Sequence, residues 1–320
     1  MPLVTVIFCI TLALLLAPAG QAAESIVAGS VDAASASLWP LYIAEKNGYF
    51  DAAEVKPEII FSQSNASVIQ QLTAGSLNIA PSAGLVDPIR AIDKGASLAI
   101  VRILIQAPPY ALLAKPTIKR TADLKGKTII IGGPKDITRI FTERMLTASG
   151  LKPGGYDFVF AGATSARFSA LQSGAVDAAI LTVPFNFYAE GAGFTNLGFT
   201  FDVLPDMPFA GMAVNRPWAA AHPKTIERFL TAVGKGIAWF DDSSHREEAV
   251  SLLVARSKTK QEDVERSYDF LRMHNLFEPT GKVSRRRIGA VVEALQQLGD
   301  VPAGFSPERL FLPGVTQVTD

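Results

Sequence analysis

The chain has 320 residues, of which 48% are hydrophobic and 19% charged, a composition that suits a folded core and excludes a disordered chain. Its 30 basic residues balance 30 acidic residues, so the basic excess typical of nucleic-acid binders is missing. The length suggests about two domains of ordinary size. We therefore expect a folded two-domain protein with no nucleic-acid partner.

The chain begins with a segment that has the features of a secretion signal. Residues 3–17 are largely apolar but too few to cross a bilayer comfortably, and small residues with the form of a cleavage site follow at Gly20–Ala22. No Lys or Arg precedes this run, so a buried N-terminal helix is the alternative. We predict that residues 1–23 are a cleaved signal peptide and that the mature protein is periplasmic.

The single cysteine, Cys9, lies inside this segment. A lipidation site needs a small residue before its cysteine, whereas Phe8 is large, and Cys9 comes before the apolar run is complete. We expect no lipid anchor. The mature chain would then have no disulfide and no thiolate chemistry.

Beyond the signal, short β-rich runs alternate with helical patterns. Strands are predicted at residues 25–30, 55–61, 77–80, 98–106, 128–131, 158–160, 178–182 and 209–215. Helices are predicted at residues 40–47, 66–73, 86–94, 137–149 and 166–172, then from Pro223 through Phe240, and at 247–255, 261–273 and 283–298. The alternation indicates βαβ units in a largely parallel sheet, and the last third is a helical tail expected to pack on one lobe.

Two segments of the chain resemble each other. Residues 72–80 (LTAGSLNIA) align with residues 171–179 (LQSGAVDAA), 99 positions later in the sequence. Each consists of a helix end, a glycine cap and a buried strand. The repeat favours two α/β lobes of related design.

Four segments together resemble the periplasmic substrate-binding proteins of importers for nitrate, sulfonates, taurine and thiamine-pyrimidine precursors. They are Trp39–Phe50 (WPLYIAEKNGYF), Gln71–Ala80 (QLTAGSLNIA), Asp123–Ile129 (DLKGKTI) and Ala170–Ala178 (ALQSGAVDA). Each segment alone is weak. In the family's order over residues 25–215 they are specific for the fold and the transport role, though not for the ligand.

The resemblance implies an α/β protein with a two-lobed type II periplasmic-binding fold, in which each lobe is a mostly parallel sheet flanked by helices. Lobe one would comprise residues 24–112 and 209–320, including the helical tail, and lobe two residues 113–208. The crossings near residues 110–115 and 207–213 would form the hinge. Such a protein traps a small-molecule ligand by lobe closure and delivers it to an ABC permease in the inner membrane. We expect a monomer.

The predicted ligand site follows from this fold. In open α/β sheets, ligands bind beyond the carboxyl ends of the strands, where helix N-termini offer N–H groups that suit anions. The relevant strand ends are residues 35–39, 63–65 and 82–84 in lobe one, and 133–139, 162–165 and 182–186 in lobe two. Candidate ligand-binding residues are Ser37, Trp39, Ser64, Asn65, Ser82, Ala83, Lys135, Arg139, Thr164, Phe185, Asn186 and Phe209.

The aromatic and capping candidates each have two interpretations. Trp39 could cover one face of a ligand, or it could be a hydrophobic staple on the first helix. Phe185 and Phe209 could form an apolar wall, or they could be core residues. Ser64 and Asn65 could contact the ligand or simply cap a helix.

The basic candidates set the expected ligand class. Lys135 or Arg139 could neutralise a carboxylate or sulfonate, unless they are solvated surface residues. Arg167 is a weaker candidate of the same kind. We expect the ligand to be a small organic anion, a sulfonate or a carboxylate, with an aromatic body among the options.

Motifs for catalysis are missing from the sequence. His222, His245 and His274 lie outside the predicted crevice, and no pair has metal-ligand spacing. There is no P-loop, dinucleotide fingerprint or serine-hydrolase elbow. We expect no metal, no cofactor and no catalysis. The alternatives are an enzyme on the same fold, of the thiamine-pyrimidine or menaquinone biosynthesis type, and a ligand sensor for a membrane receptor.

Overall fold

The computed structural model describes residues 23–258 and 260–320, so the predicted signal peptide lies outside it except for Ala23. The strands are β1 (Glu24–Ser30), β2 (Val55–Phe61), β3 (Ile79–Gly84), β4 (Leu98–Ile105), β5 (Tyr110–Ala114), β6 (Thr128–Ile131), β7 (Asp157–Phe160), β8 (Ala178–Thr182), β9 (Thr195–Phe199), β10 (Ala210–Asn215), β11 (Val283–Ser284) and β12 (Val318–Thr319). The helices are α1 (Trp39–Lys46), α2 (Tyr49–Ala52), α3 (Asn65–Thr73), α4 (Val86–Asp93), α5 (Ile137–Ala148), α6 (Thr164–Gln172), α7 (Phe185–Gly191), α8 (Arg216–Ala221), α9 (Pro223–Asp241), α10 (Arg246–Ser257), α11 (Gln261–Met273) and α12 (Arg285–Gln297).

Two five-stranded sheets of the same topology organise the described chain. Sheet one has the order β2-β1-β3-β10-β4 and sheet two the order β7-β6-β8-β5-β9. In each sheet a single strand, β10 or β5, runs antiparallel to both neighbours, and the other pairings are parallel. The predicted fold of two mostly parallel sheets flanked by helices is confirmed. We call sheet one with α1–α4 and α8–α12 lobe one, and sheet two with α5–α7 lobe two.

The antiparallel strands explain how the lobes are linked. The chain leaves β4 of sheet one, crosses through residues 106–109 and enters sheet two as β5. It returns from β9 through residues 200–209 and enters sheet one as β10. The predicted hinge near residues 110–115 is thus mostly strand β5, and the crossing itself lies immediately before it.

The internal repeat extends to the boundaries of the elements. Helices α3 and α6 begin and end 99 residues apart, at residues 65–73 and 164–172. Each is followed by a glycine with positive φ, +77° at Gly75 and +78° at Gly174, before the chain enters β3 or β8. Glycine adopts this left-handed conformation without the steric cost of a Cβ, which is why it caps both helices.

The core of lobe one lies on both faces of its sheet. Strand β4 is buried at every position, as expected for a strand covered by helices on two sides. The long helix α9 buries one face, including Ile226, Phe229 and Val233, and packs against α1. Among the described residues, no helix is both long enough and apolar enough to span a membrane.

The helical tail belongs to lobe one but also contacts lobe two through α11. The sequence predicted that it would pack on one lobe. The ring of Phe270 in α11 lies 5.6 Å from Phe187 in α7 and 5.0 Å from Phe199 in β9. Arg266 in α11 pairs with Glu190 in α7. The tail therefore joins the two lobes, because aromatic and charged side chains on one face of α11 contact residues of lobe two.

Candidate functional site

A narrow cleft between the two sheets collects residues from every strand end that was predicted to border the ligand. The cavity measures about 70 Å³. Its lining residues are Ser30, Val31, Asp32, Ser35, Ser37, Asn65, Ser82, Gly84, Tyr110, Asp136, Ile137, Gly162, Thr164, Arg167, Thr182 and Phe209. The convergence arises because the carboxyl ends of parallel strands in each sheet meet at one edge, and these two edges face each other.

The lobes touch beside this cavity. The main-chain N–H of Ser165 in lobe two donates to the Asp32 carboxylate of lobe one at 3.2 Å. A Cβ on Gly162 would stand 2.7 Å from the Cβ of Ser64, so the two lobes meet with no room for a side chain. The structure is therefore a closed arrangement around a small volume.

Arg167 is the one cation among the lining residues of the described chain, and it is 2% exposed. Its Nε donates to Ile180 O at 2.8 Å, and Nη1 donates to Ala161 O at 2.9 Å and Gly162 O at 2.8 Å. Its Nη2 donates to Thr164 Oγ1 at 2.7 Å. A guanidinium has five N–H donors, so at most one is left for a ligand. Arg167 holds β8, the loop after β7 and the start of α6 together.

Two carboxylates line the cleft, and both cap helix N-termini of lobe two. Asp136 is the N-cap of α5, and its Oδ1 accepts from Thr138 N at 2.8 Å. Asp32 reaches across from lobe one to accept from Ser165 N in the first turn of α6, while its other oxygen accepts from Ala34 N at 3.0 Å. Carboxylates are favoured at these positions because helix N-termini carry partial positive charge.

Tyr110 and Phe209 form an aromatic corner of the cavity. Their rings are perpendicular, with centroids 5.1 Å apart, and each stands beside a crossing between the lobes. Burial raises the pKa of Tyr110 above its ordinary value, and the charge of Asp136 adds to this, while the adjacent Arg167 opposes it. The phenol is therefore protonated at neutral pH.

Asn65 organises the lobe-one side of the cleft. Its side chain donates to Gly84 O at 3.1 Å and accepts from Gly84 N at 3.2 Å, which pins the end of β3. It also donates to the carboxylate of Asp87. Burial and the charge of Asp136 raise the pKa of Asp87 to about 6, against the lowering effects of Asn65 and Arg90.

Five of the predicted ligand-binding residues line the cavity: Ser37, Asn65, Ser82, Thr164 and Phe209. Ser64 lies beside it as the N-cap of α3, and its hydroxyl accepts from Ser67 N. Capping therefore explains Ser64, whereas Asn65 both starts the helix and lines the cleft.

The predicted basic residues lie outside the cavity. The Lys135 side chain is 72% exposed, with an acidic partner, Asp300, at 3.8 Å. Arg139 pairs with Glu143 at 2.8 Å on the surface of α5 and is 46% exposed. Both side chains point to solvent because the cleft-facing position of this segment is taken by Asp136.

Trp39 lies in the core of lobe one instead of the cleft. It is fully buried, its Nε1 donates to Ala249 O at 2.7 Å, and its ring packs on Phe240 and Tyr268. The predicted stacking platform is therefore a core residue, which joins α1 to the helical tail.

The other three candidates are also buried away from the cavity. Ala83 is 1% exposed within β3, where it pairs with Gly211. Phe185 packs with Phe168 and Tyr188 in a second apolar cluster of lobe two. Asn186 is fully buried, and neither polar atom of its side chain has a hydrogen-bond partner within the described chain.

Sequence reasoning missed Asp32, Asp136 and Tyr110. The sequence does carry a signal for Asp136, because an Asp just before a helix is a strong N-cap, but the neighbouring Lys135 and Arg139 are the more obvious partners for the expected anion. Asp32 lies outside the six predicted strand-end segments, and Tyr110 is near the crossing, where contacts depend on tertiary structure. No group of three or more His, Cys, Asp or Glu that could hold a metal occurs in the described part of the chain.

Comparison with known proteins assigns the family. Residues 35–244 match the family model described as NMT1/THI5 like, which is more than half of the 320-residue chain. The chain belongs to the NMT1/THI5-like family. The predicted family resemblance is confirmed, and solved sulfonate-binding and nitrate-binding proteins share the fold.

Solved structures support the fold of this NMT1/THI5-like chain. The alkanesulfonate-binding protein SsuA from Xanthomonas axonopodis pv. citri, bound to MOPS, has a TM-score of 0.75 at 18% identity, covering 93% of this chain and 100% of that one. The periplasmic nitrate-binding protein NrtA from Synechocystis PCC 6803 has a TM-score of 0.73 at 17% identity, covering 89% and 84%. A mutant of DszB in complex with biphenyl-2-sulfinic acid has a TM-score of 0.67 at 12% identity, covering 92% and 97%.

A curated relative matches a shorter part of the NMT1/THI5-like chain. The bicarbonate transport ATP-binding protein CmpC of Synechocystis sp. is 31% identical over 88 residues, which is 27% of this chain. The match covers 13% of that relative's length, so most of it has no counterpart here.

Proposed function

We propose that this protein is the extracytoplasmic solute-binding component of an ABC importer, which captures one small polar molecule by closing its lobes. The observation that carries the proposal is the cleft itself. Its polar lining comes about equally from two lobes of the same topology, and the lobes are joined by two crossings and by the helical tail. Such a construction suits a hinge that opens and closes around a solute.

The hydrogen bonds made by the charged side chains of the cleft favour ligand binding over catalysis. Both oxygens of Asp32 accept main-chain N–H groups, and Arg167 is engaged by main-chain oxygens, so these two charged side chains of the cleft have structural partners. A general acid or base is instead expected to keep its reactive atom directed at substrate. The proposal includes a periplasmic location, secretion by cleavage near residue 23, and a permease partner, as expected from the sequence.

The small organic anion expected from the sequence has one possible cationic partner among the described residues of the cleft, Arg167. The two further predicted cations, Lys135 and Arg139, are on the surface. The proposal of a solute-binding role does not depend on the sign of the ligand's charge.

A thermal-shift screen of the purified protein tests the role. The panel contains sulfonates, carboxylates, inorganic anions, amines, amino acids and pyrimidines. A ligand at one hundred times its dissociation constant stabilises the folded state by about 2.7 kcal/mol, which moves the melting temperature by several degrees. Recovery of the hit unchanged by mass spectrometry is the expected result. Conversion of the hit to a product would instead favour an enzyme of the same fold.

A further inference from the structure

We infer that the ligand of the cleft carries a cationic nitrogen group, an ammonium or amidinium, which Asp136 and the Tyr110–Phe209 corner receive. The inference rests on the proposed function and names its substrate class. It departs from the sulfonate or carboxylate expected from the sequence.

The formal charge of the lining is the first argument. Asp32 and Asp136 contribute two negative charges and Arg167 one positive charge, so the lining carries a net charge of −1. Burial and the charge of Asp136 raise the pKa of Asp87, although Arg90 lies 3.7 Å from the Asp87 carboxylate, so the two carboxylates repel each other. A monocationic ligand neutralises this excess, whereas an anion would increase the repulsion.

The second argument is that the three helix starts nearest the cleft already receive polar side chains of the protein, two of them carboxylates. The N-terminus of α6 receives Asp32, and the N-terminus of α5 receives Asp136. The N-terminus of α3 is satisfied by the Ser64–Ser67 capping box. At each of these helix starts an incoming sulfonate or nitrate would find one N–H group, that of Ser165, Thr138 or Ser67, already hydrogen bonded to a side chain of the protein.

The third argument is the state of Arg167. Its Nε, both donors of Nη1 and one donor of Nη2 are taken by oxygens of the protein at 2.7–2.9 Å. It cannot present the two parallel N–H groups by which arginine binds a carboxylate or sulfonate without breaking one of these bonds.

The geometry next to Asp136 suits a cation. Its Oδ1 is used by the helix cap, and its Oδ2 accepts no hydrogen bond from the described residues. Tyr110 and Phe209 meet at 5.1 Å with perpendicular rings in the same cavity. Aromatic rings attract organic cations through their negative faces, and a neighbouring carboxylate adds a charged hydrogen bond. The 70 Å³ volume is room for only about five water-sized positions, so the bound group is small.

Isosteric probes separate charge from shape. Acetamidinium, acetamide and acetate share one planar shape and carry positive, zero and negative charge, and guanidinium, urea and nitrate form a second such set. Thermal shifts and calorimetric affinities are measured for all six at millimolar concentration and low ionic strength. The cation of each set is expected to bind more tightly than its neutral and anionic isosteres. An equal or stronger response to acetate or nitrate overturns the inference.

Asp136→Asn assigns the effect to one carboxylate. Asparagine is as good an N-cap as aspartate, so the helix start is preserved while the charge is removed. Cation binding is expected to weaken roughly tenfold to a hundredfold, as for loss of a charged hydrogen bond. The control Asp157→Asn changes an exposed carboxylate of the same lobe and leaves binding unchanged. Equal effects of the two substitutions would contradict the assignment of Asp136.

The inference and the proposed function fail in different ways. If an anion from the wider solute panel binds and the cationic isosteres do not, the protein is a solute-binding protein and the inference about charge is wrong. If no solute of any charge shifts the melting temperature, and native mass spectrometry finds no molecule retained from expression, the proposed function itself is contradicted.

Discussion

Gly162 of lobe two stands directly against Ser64 of lobe one. A Cβ built on Gly162 would lie 2.7 Å from the Cβ of Ser64 and 2.5 Å from the carbonyl oxygen of Gln63. Real Cβ atoms essentially never approach other atoms this closely, and part of the obstacle is main chain, which cannot rotate away. The absence of a side chain at residue 162 is therefore a condition for the lobes to meet.

Gly162→Ala is expected to weaken ligand binding while leaving the unliganded protein stable. The added methyl group obstructs only the closed arrangement, since its neighbours belong to the other lobe. Overpacking of this kind costs about 1–3 kcal/mol, which corresponds to roughly 5-fold to 150-fold lower affinity. Calorimetry measures the affinity, and the melting temperature without ligand measures the stability.

The matched control is Gly304→Ala, because a Cβ on Gly304 would have no atom within 4 Å. This substitution is expected to change neither quantity. If Gly162→Ala binds as tightly as the unmodified protein, the closed contact between residues 64 and 162 has no part in ligand capture.

Trp39→Ala is expected to destabilise the fold and to spare the ligand site. The substitution removes a fully buried ring and the hydrogen bond to Ala249 O, and large-to-small changes of this kind cost about 3–5 kcal/mol. Trp218→Phe, at a half-buried indole, should cost much less. Urea denaturation gives both values. If the Trp39→Ala protein kept its stability but lost affinity for the ligand, Trp39 would contact the ligand and would not be a core residue.

Arg167→Met is expected to lower the free energy of unfolding by about 2–4 kcal/mol, because it removes the guanidinium donors to the main-chain oxygens of Ile180, Ala161 and Gly162. Arg167→Lys should recover part of the loss, since an ammonium retains three donors. Arg139→Ala is the control on the surface, where such a change stays within about 0.5 kcal/mol. Denaturant titration measures the stability of each variant. Equal stability of Arg167→Met and Arg139→Ala would contradict the role of Arg167 in holding lobe two together.

Asp87 predicts a pH dependence of stability. Its folded-state pKa is raised from 3.8 to about 6, chiefly by burial, so the folded state binds the proton more tightly than the unfolded state does. Stability from this group is fully present below about pH 4 and is lost as the pH rises through about 6. Asp87→Asn should therefore raise the melting temperature at pH 8 and leave it nearly unchanged at pH 4. The control Asp51→Asn, at an exposed carboxylate, should change the melting temperature at neither pH. If Asp87→Asn raised the melting temperature at pH 4 and not at pH 8, the folded-state pKa of Asp87 would be lowered instead of raised.

The sequence correctly predicted which chain segments border the cleft, but it predicted less well which side chains of those segments face it. All six strand-end segments contribute to the cavity, because strand alternation and glycine caps are local signals and the topology rule then places the ends together. Within a segment the inward residue depends on the exact turn. Asp136 faces the cleft and its neighbour Lys135 faces solvent, while Ser37 lines the cavity and Trp39, two residues later, enters the core.

Strands β5 and β9 show a second limit of the sequence. The sequence predicts a crossing at residues 110–114 (YALLA) and no strand or helix at residues 195–199 (TNLGF). Both are strands because of their antiparallel pairing, β5 with β8 on one side and with β9 on the other. The partners lie about 65–90 residues away in sequence, so no local pattern reveals the pairing.

The position of β10 determines the order in which the chain can fold as it is synthesised. Sheet two is built from consecutive residues between Tyr110 and Phe199, so it can close as soon as that stretch is available. Sheet one needs β10 between β3 and β4, and until residue 215 has left the ribosome those two strands have no partner between them. Lobe one therefore stays incomplete until residue 215 has been synthesised, after the whole of sheet two is already available to fold.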